Sequence, residues 1–426
     1  MNTDPKAEGR KAFAPIATAG IFFQGGAAAV DTGTIVAALV DSLTASPVAV
    51  GTAAAISRYG WLFPQLFVAH LAQRRRRRMP FYMFGAFGRA LCLAVLAGVL
   101  WFADALGPKE IVIGFFVLWT AYAFISGIVG APYNDIVARS IPSPRRSRLL
   151  AVRFFGGGIL ALMVAAIAHR VLDRLPFPEG YGVIFLVGAV LLAASAISFV
   201  SAGEPLAPAD SVENTTAGFG RFLRAGIEVL GRDRRFRRFL AARWCNGAVA
   251  MALPFYIVLA ARQGTLLPQD VAVLVAVQTA GALVSNPIWG WWGDHRGKLS
   301  LLRLVAIFAA VAPALALMWM EFGGVGRQQT LLWFALVFFL LGAVNNGSTI
   351  AQLGYLMEIS PDERRPAYSG YFNALVAPVS LLPIFGGALA AVASSYAYVL
   401  AISLVAALLQ LWVLRRMGTD AGEGTP

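Results

Sequence analysis

Long apolar runs, separated by short charged or Pro/Gly-rich breaks, recur along the whole chain. The first six fall at 14–40, 48–71, 80–103, 111–136, 149–171 and 181–202, and six more at 239–261, 270–292, 299–320, 330–357, 367–392 and 395–414. Each run reaches the roughly 20 residues that an α-helix needs to cross the hydrocarbon of a bilayer. The pattern predicts an all-α membrane protein with twelve transmembrane helices in two bundles of six. The long polar stretch 203–238 divides the two sets. The expected organisation is therefore a tail at 1–13, a bundle at 14–202, a linker at 203–238, a bundle at 239–414 and a tail at 415–426.

Composition agrees with this reading. Of 426 residues, 58% are hydrophobic and 13% charged, against about 25% charged in a soluble domain. A net charge of +13 would point to nucleic acid in a soluble protein, but its distribution argues otherwise. Alternate connections, together with the two tails, hold 26 of the 35 Lys and Arg residues. The opposite connections hold Lys109, Arg170, Arg174, Arg262 and Arg327. By the positive-inside rule both termini are expected in the cytoplasm. The run Arg74 to Arg78, lying between two spans, then sets topology, and no nucleic-acid partner is expected. The first run exceeds a signal-peptide core, and it is kept as a mature helix.

Within the linker, Phe219, Phe222, Leu223, Ile227 and Leu230 recur at helical spacing among seven basic residues. This predicts a helix lying on an anionic leaflet. Chemistry-bearing motifs are sparse elsewhere. Cys92 and Cys245 sit in apolar runs, against a disulfide framework. His70, His169 and His295 lie near different span ends with no metal spacing, and GDHRGK at 293–298 is one residue short of a phosphate-binding loop. Without a nucleophile, base or metal constellation the chain is read as a non-enzyme, with no cofactor and no metal.

An internal repeat is visible. IPSPRRSR at 141–148 aligns with ISPDERRP at 359–366 at an offset of 219, and Pro64 aligns with Pro287 at 223. With GWWGDHRGKLSLL at 290–302, where Gly290, Asp294, Gly297 and Lys298 stand at signature spacing, the chain resembles the major facilitator superfamily. The strings DTGTIVAALVDSLTASPVAVG, GWLFPQLFVAH, FPEGYGVIFL and RDRRFRRFL are similar to a bacterial branch of that family whose substrates are unsettled. His295 and Leu299 replace two of the signature's basic residues. After span two only the basic end of the signature remains, with Phe67 and Leu71 in place of its Gly and Asp. Span four lacks the Arg, and span five the Gly-Pro pair, of proton-coupled drug exporters.

The resemblance implies two pseudo-symmetric six-helix bundles and a cytoplasmic gate. In that gate Asp294 would meet the region of Arg145, Arg146, Arg148 and Arg153. The lost Asp of the first half would be replaced by a charge-swapped latch of Arg74, Arg75 and their neighbours with Asp362 and Glu363.

Polar groups inside the runs need partners or water. Asp31 lies about 14 Å deep in span one and Arg58 about 15 Å deep in span two at the helical rise, so neighbouring helices would bring them together. The pair is read either as a substrate- or proton-linked site or as a fixed structural pair. Arg89 is expected to snorkel or to approach Asp135. Gln24, Asn246, Gln278, Asn286, Asn345, Asn346 and Asn373 are amides that either bond between helices or line a solute site. Gly156 to Gly158, Pro378, Pro383, Gly386 and Gly387 allow close helix contact or bending. These features point to a secondary active or facilitative transporter, moving a small organic solute by alternating access in the lipid bilayer, with coupling to protons left open. The alternative is a non-transporting bundle serving as an assembly factor or lipid-handling scaffold.

Overall fold

The computed structural model describes residues 5–419, other than 74, 76, 142, 206–230, 232, 264–265, 324–325, 360–371 and 374. The described residues form helices and short turns. The expected surface helix of the linker lies almost wholly outside them.

Span one is not continuous. It consists of α1 (Pro5–Ala28) and α2 (Ile35–Thr44) with a turn between. Spans two to six are α3 (Pro47–Gln73), α4 (Met79–Trp101), α5 (Pro108–Ser140), α6 (Ser143–Arg174) and α7 (Glu179–Ser201). Span seven is also split, into α8 (Arg234–Ala250) and α9 (Leu253–Gln263). Spans eight to ten are α10 (Pro268–His295), α11 (Lys298–Phe322) and α12 (Arg327–Ile359). A 3₁₀ turn at Ala377–Leu381 leads into α13 (Leu382–Ala393), the described part of span eleven, and α14 (Ala397–Thr419) is span twelve. Among the described residues nine helical stretches are long and apolar enough to cross a membrane, and the shorter apolar helices of spans one and eleven add to them. Large apolar side chains point outward, among them Phe155, Phe322 and Val392 at 68%, 80% and 87% exposure. Such a surface suits lipid and not water. The chain is an integral membrane protein.

Two compact units result. One comprises 1–39 and 56–217, the other 40–55 and 218–426. In the first, α4 packs on α5 and α7, and α1 on α6 and α7. In the second, α11 packs on α12 and α14, and α8 on α14. Spans three and nine thus have equivalent neighbours, as do spans one and seven, which is the pseudo-symmetry that the repeat predicts. The first unit's core gathers Ile16, Tyr82, Ile136, Leu149 and Phe199, and the second's Phe236, Phe239, Trp289, Leu301 and Phe372.

Glycine permits the closest contact in the second unit. A Cβ on Gly342 would lie 1.9 Å from the Gln278 carbonyl oxygen, and one on Gly281 2.1 Å from that of Phe339. These two positions let the backbones of α10 and α12 touch. The Trp289 indole N–H donates to the Ala343 carbonyl at 2.9 Å across the same contact.

The hairpin tip 40–55 clusters with the second unit although its helices run on into the first. Gly51 and Gly387 allow this. A Cβ on Gly51 would lie 2.0 Å from the Pro383 carbonyl oxygen, and one on Gly387 2.2 Å from that of Pro47.

Candidate functional site

The break in span one is built by Asp31. Its carboxylate Oδ1 accepts from the Gly33 N–H at 3.0 Å and from the Thr34 hydroxyl at 2.7 Å. Its own carbonyl accepts from Thr34 N–H at 3.4 Å and Val36 N–H at 3.0 Å, opening α2. The carboxylate is thus a local turn-former, satisfying amides that an unbroken helix would have paired. Arg58 lies within electrostatic reach of Asp31. Among the described residues it makes no ion pair with Asp31, and its side chain is exposed. Asp31 sits in a chain break and not on a continuous helix, because the Asp-Thr-Gly-Thr sequence closes a turn more readily than it continues a helix.

The sequence-derived amides fall in several places. In the second unit the Asn246 side-chain oxygen accepts from the Arg243 guanidinium and, at 3.3 Å, from the Gln352 amide. The Asn346 amide donates to the Asn286 side-chain oxygen at 3.1 Å and to the Ala282 carbonyl at 3.3 Å, bridging α10 and α12. Asn345 is exposed on the other face of α12, and Asn373 is also exposed. The Gln278 side chain is half-buried near the Gly342 contact. In the first unit Gln24 packs on α6, where a Cβ on Gly157 would lie 2.6 Å from its Cβ.

Of the gate residues, Asp294 is 71% exposed and accepts a bond from Lys298 at 2.8 Å, one turn along. Gly297 adopts φ +82, a left-handed conformation that glycine reaches without strain, and so separates α10 from α11. Gly290 has open space where a Cβ would stand. Arg75 is exposed. Arg145 and Arg146 lie in the first turn of α6, whose side chains there are outside the description. Arg74, Asp362 and Glu363 also lie outside the described residues.

Arg89 does not reach Asp135, contrary to one expectation. That carboxylate pairs with Arg78 and Arg139, and Arg139 also reaches Glu204 at 3.0 Å. Glu204 in turn accepts from the backbone N–H groups of Arg78 and Met79, at 2.6 and 2.9 Å. An anionic acceptor at the free amides of α4 is favoured by the helix dipole.

Two further ion pairs escaped the sequence. In the second unit the Arg262 guanidinium donates through Nε to Asp41 Oδ2 at 3.1 Å and through Nη2 to Oδ1. The two positions are 221 residues apart, midway between the repeat offsets, so equivalent positions of the two repeats are paired. The breaks of span one and span seven differ by a similar interval. Asp270, 2% exposed, receives a bidentate bond from Arg327 at 2.8 and 2.9 Å and itself accepts from the Leu267 N–H at 2.9 Å. Asp41 and Asp270 each stand near a span end, where a carboxylate is ordinary, so the sequence gives no sign of either pair.

Residues 263–425 match the family model described as Major Facilitator Superfamily. The chain is similar to the nucleoside transporter NupG at a TM-score of 0.72, with 12% identity over 95% of this chain and 99% of that one. This is the major facilitator fold. A peptide-transporter (POT) family structure in complex with 5-aminolevulinic acid shares it at 0.71, with 10% identity over 95% and 96% of the two chains. So does a bacterial homologue of the iron transporter ferroportin in an outward-facing state, at 0.61 with 15% identity over 96% and 99%. Sequence relatives include the uncharacterized proteins Rv2209 of Mycobacterium tuberculosis and Mb2232 of Mycobacterium bovis, each 24% identical over 307 residues. The match takes in 70% of this chain and 57% of those proteins, so it spans little more than half their length. The major facilitator fold explains the equivalent helix neighbours in the two units and the long polar stretch between them.

Proposed function

We propose that this protein carries a small organic solute across the membrane by alternating access, with Asp31 and Arg58 contacting the solute or a proton. The observation supporting this most directly is Asp31 itself: a carboxylate at a chain break inside a span, with an exposed arginine in electrostatic reach and not locked to it. A fixed structural pair would join the two charges directly, since each is costly alone in hydrocarbon. Broken spans are where transporters bind solutes and ions. The major facilitator fold, shared with nucleoside and peptide transporters, is consistent with this reading. Its natural setting is a bacterial inner membrane, with both termini in the cytoplasm as the basic loops indicate.

The test is a solute screen by thermal stabilisation of the purified full chain, followed by flux of each hit into proteoliposomes. Saturable flux that falls in both Asp31→Asn and Arg58→Gln is expected. Stabilising solutes that never cross the vesicle membrane would reject transport. Flux driven by an imposed proton gradient and unchanged in Asp31→Asn would reject a proton role for Asp31.

A further inference from the structure

The first unit contains a second concentration of charge, unrelated to Asp31. Arg89, on α4, is 4% exposed. Its guanidinium carbon lies 4.9 Å from the centroid of the Phe23 ring on α1. Arg153, on α6, approaches the same ring at 5.4 Å, and the ring of Tyr133 on α5 also at 5.4 Å. Its Nη1 donates to the Tyr133 hydroxyl at 3.1 Å. Gly20 makes room for this side chain: a Cβ there would stand 2.5 Å from Arg153 Cγ. Four helices thus bring two cations to one aromatic ring.

Their acceptors do not match their charge. The buried Nε atoms of Arg89 and Arg153 have no hydrogen-bond partner among the described residues, nor does either arginine form an ion pair there. The charged or polar groups that act on Arg89 are Tyr82, Tyr122 and Arg153, two phenols and another cation. The unit's described carboxylate side chains are committed elsewhere or remote. Asp31 serves its turn, while Asp135 and Glu204 serve Arg78 and Arg139. Asp104, Glu110, Asp173 and Glu179 stand at the opposite helix ends. Ring faces attract cations but do not neutralise them. A buried guanidinium and a half-buried one held at the same ring without a counterion are unfavourable, and an anion relieves that cost.

We infer that Arg89 and Arg153 form an oxyanion subsite, taking the carboxylate or phosphate group of a small organic solute while Phe23 and Tyr133 flank its apolar body. A guanidinium fork suits this chemistry because it grips two oxygens at once. The inference deepens the transport reading by naming the solute as an anion, and it rests on that reading only for the word solute.

The experiment is equilibrium binding by the purified full chain in neutral detergent, read as thermal stabilisation. The probes are benzoate and inorganic phosphate, against sodium chloride at matched ionic strength. Benzoate or phosphate should stabilise the protein saturably while chloride does not. Loss of one charge-assisted contact should weaken that binding roughly 10- to 100-fold in Arg89→Gln and in Arg153→Gln.

Arg89→Met separates binding from packing. If the guanidinium waits for an anion, this variant should be at least as stable as the parent without anion and should bind benzoate roughly 10- to 100-fold more weakly. If it were merely a packing element, the variant would be less stable and would still respond. Should Arg89→Met not fold, Arg153→Lys decides, with benzoate binding about 10-fold weaker because the fork is lost. An unchanged benzoate response in that variant would overturn the subsite, as would equal stabilisation by chloride. Stabilisation by phosphatidylglycerol nanodiscs alone would overturn it in favour of a lipid headgroup. Binding of benzoate or phosphate without flux in proteoliposomes would sink the transport reading and leave the subsite. Flux of some solute with no response to either anion would do the reverse.

Discussion

The Asp41–Arg262 pair holds the hairpin tip 40–55 within the second unit, and its removal should release that tip. The perturbation is Arg262→Gln, with Asp41→Asn as its counterpart. Asp41 is 13% exposed and Arg262 37%, so the pair lies between two regimes. Fully exposed pairs contribute about 0–1 kcal/mol, while breaking a buried one costs about 3–5 kcal/mol. With two donors on two oxygens and one partner over a third exposed, about 1–2 kcal/mol is expected on breaking it. At about 0.6 kcal/mol of thermal energy, this multiplies the population of the released tip by roughly 5 to 30. Arg262 also lies 6.0 Å from the Tyr396 ring, a contact that Gln loses as well.

The assay is maleimide labelling of Val50→Cys, a position 1% exposed within the tip. The native Cys92 and Cys245, both half-buried, are first changed to Ser. When opening and closing are fast, the labelling rate follows the open population. Each single variant should therefore label about 5- to 30-fold faster, and the double variant should add little further. The charge exchange Asp41→Arg with Arg262→Asp should recover much of the protection. Equal rates in parent and single variants, or fully additive effects in the double, would show that the tip is held by the Gly51 and Gly387 contacts and not by the ion pair.

Two further outcomes concern stability. Arg327→Met should lower the unfolding temperature, at a cost of about 1–3 kcal/mol once the 47% exposure of Arg327 is allowed for, and adding Asp270→Asn should restore part of it; a thermal melt in detergent reads both, and an unchanged Arg327→Met melt would contradict the account. Gly342→Ala should destabilise by about 1–3 kcal/mol or more, because its Cβ meets the Gln278 carbonyl at 1.9 Å, whereas Gly290→Ala, with open space for its Cβ, should be neutral or slightly stabilising; equal melts for the two would count against the close contact of α10 and α12.

The spans were legible because hydropathy is set residue by residue and the connections are marked by charge. Their continuity was not, since a run such as 14–40 stays apolar on average while Asp31, Gly33 and Thr34 impose a local turn. The signal was present in the side-chain chemistry and not in hydropathy: an Asp two residues before a Gly offers its oxygen to that amide. Span seven carried a comparable cue in Pro254, which favours the first turn of a new helix over the interior of an old one.

The arginine cluster had no such cue. Arg89 and Arg153 are 64 residues apart in sequence, on helices that are not neighbours in chain order, and each alone looks like a cation within reach of a span end. Only the packing of α4, α5 and α6 around α1 brings both to Phe23, and only the assignment of Asp135 and Glu204 to Arg78 and Arg139 shows that neither of those two carboxylates is left for them. Depth along a helix locates a charge relative to the membrane, but its role depends on which acceptors the neighbouring helices have already committed. By that criterion Asp31 and the two arginines differ in kind: the carboxylate has local donors and tolerates an empty site, whereas the guanidinium pair is left short of acceptors until an anion arrives.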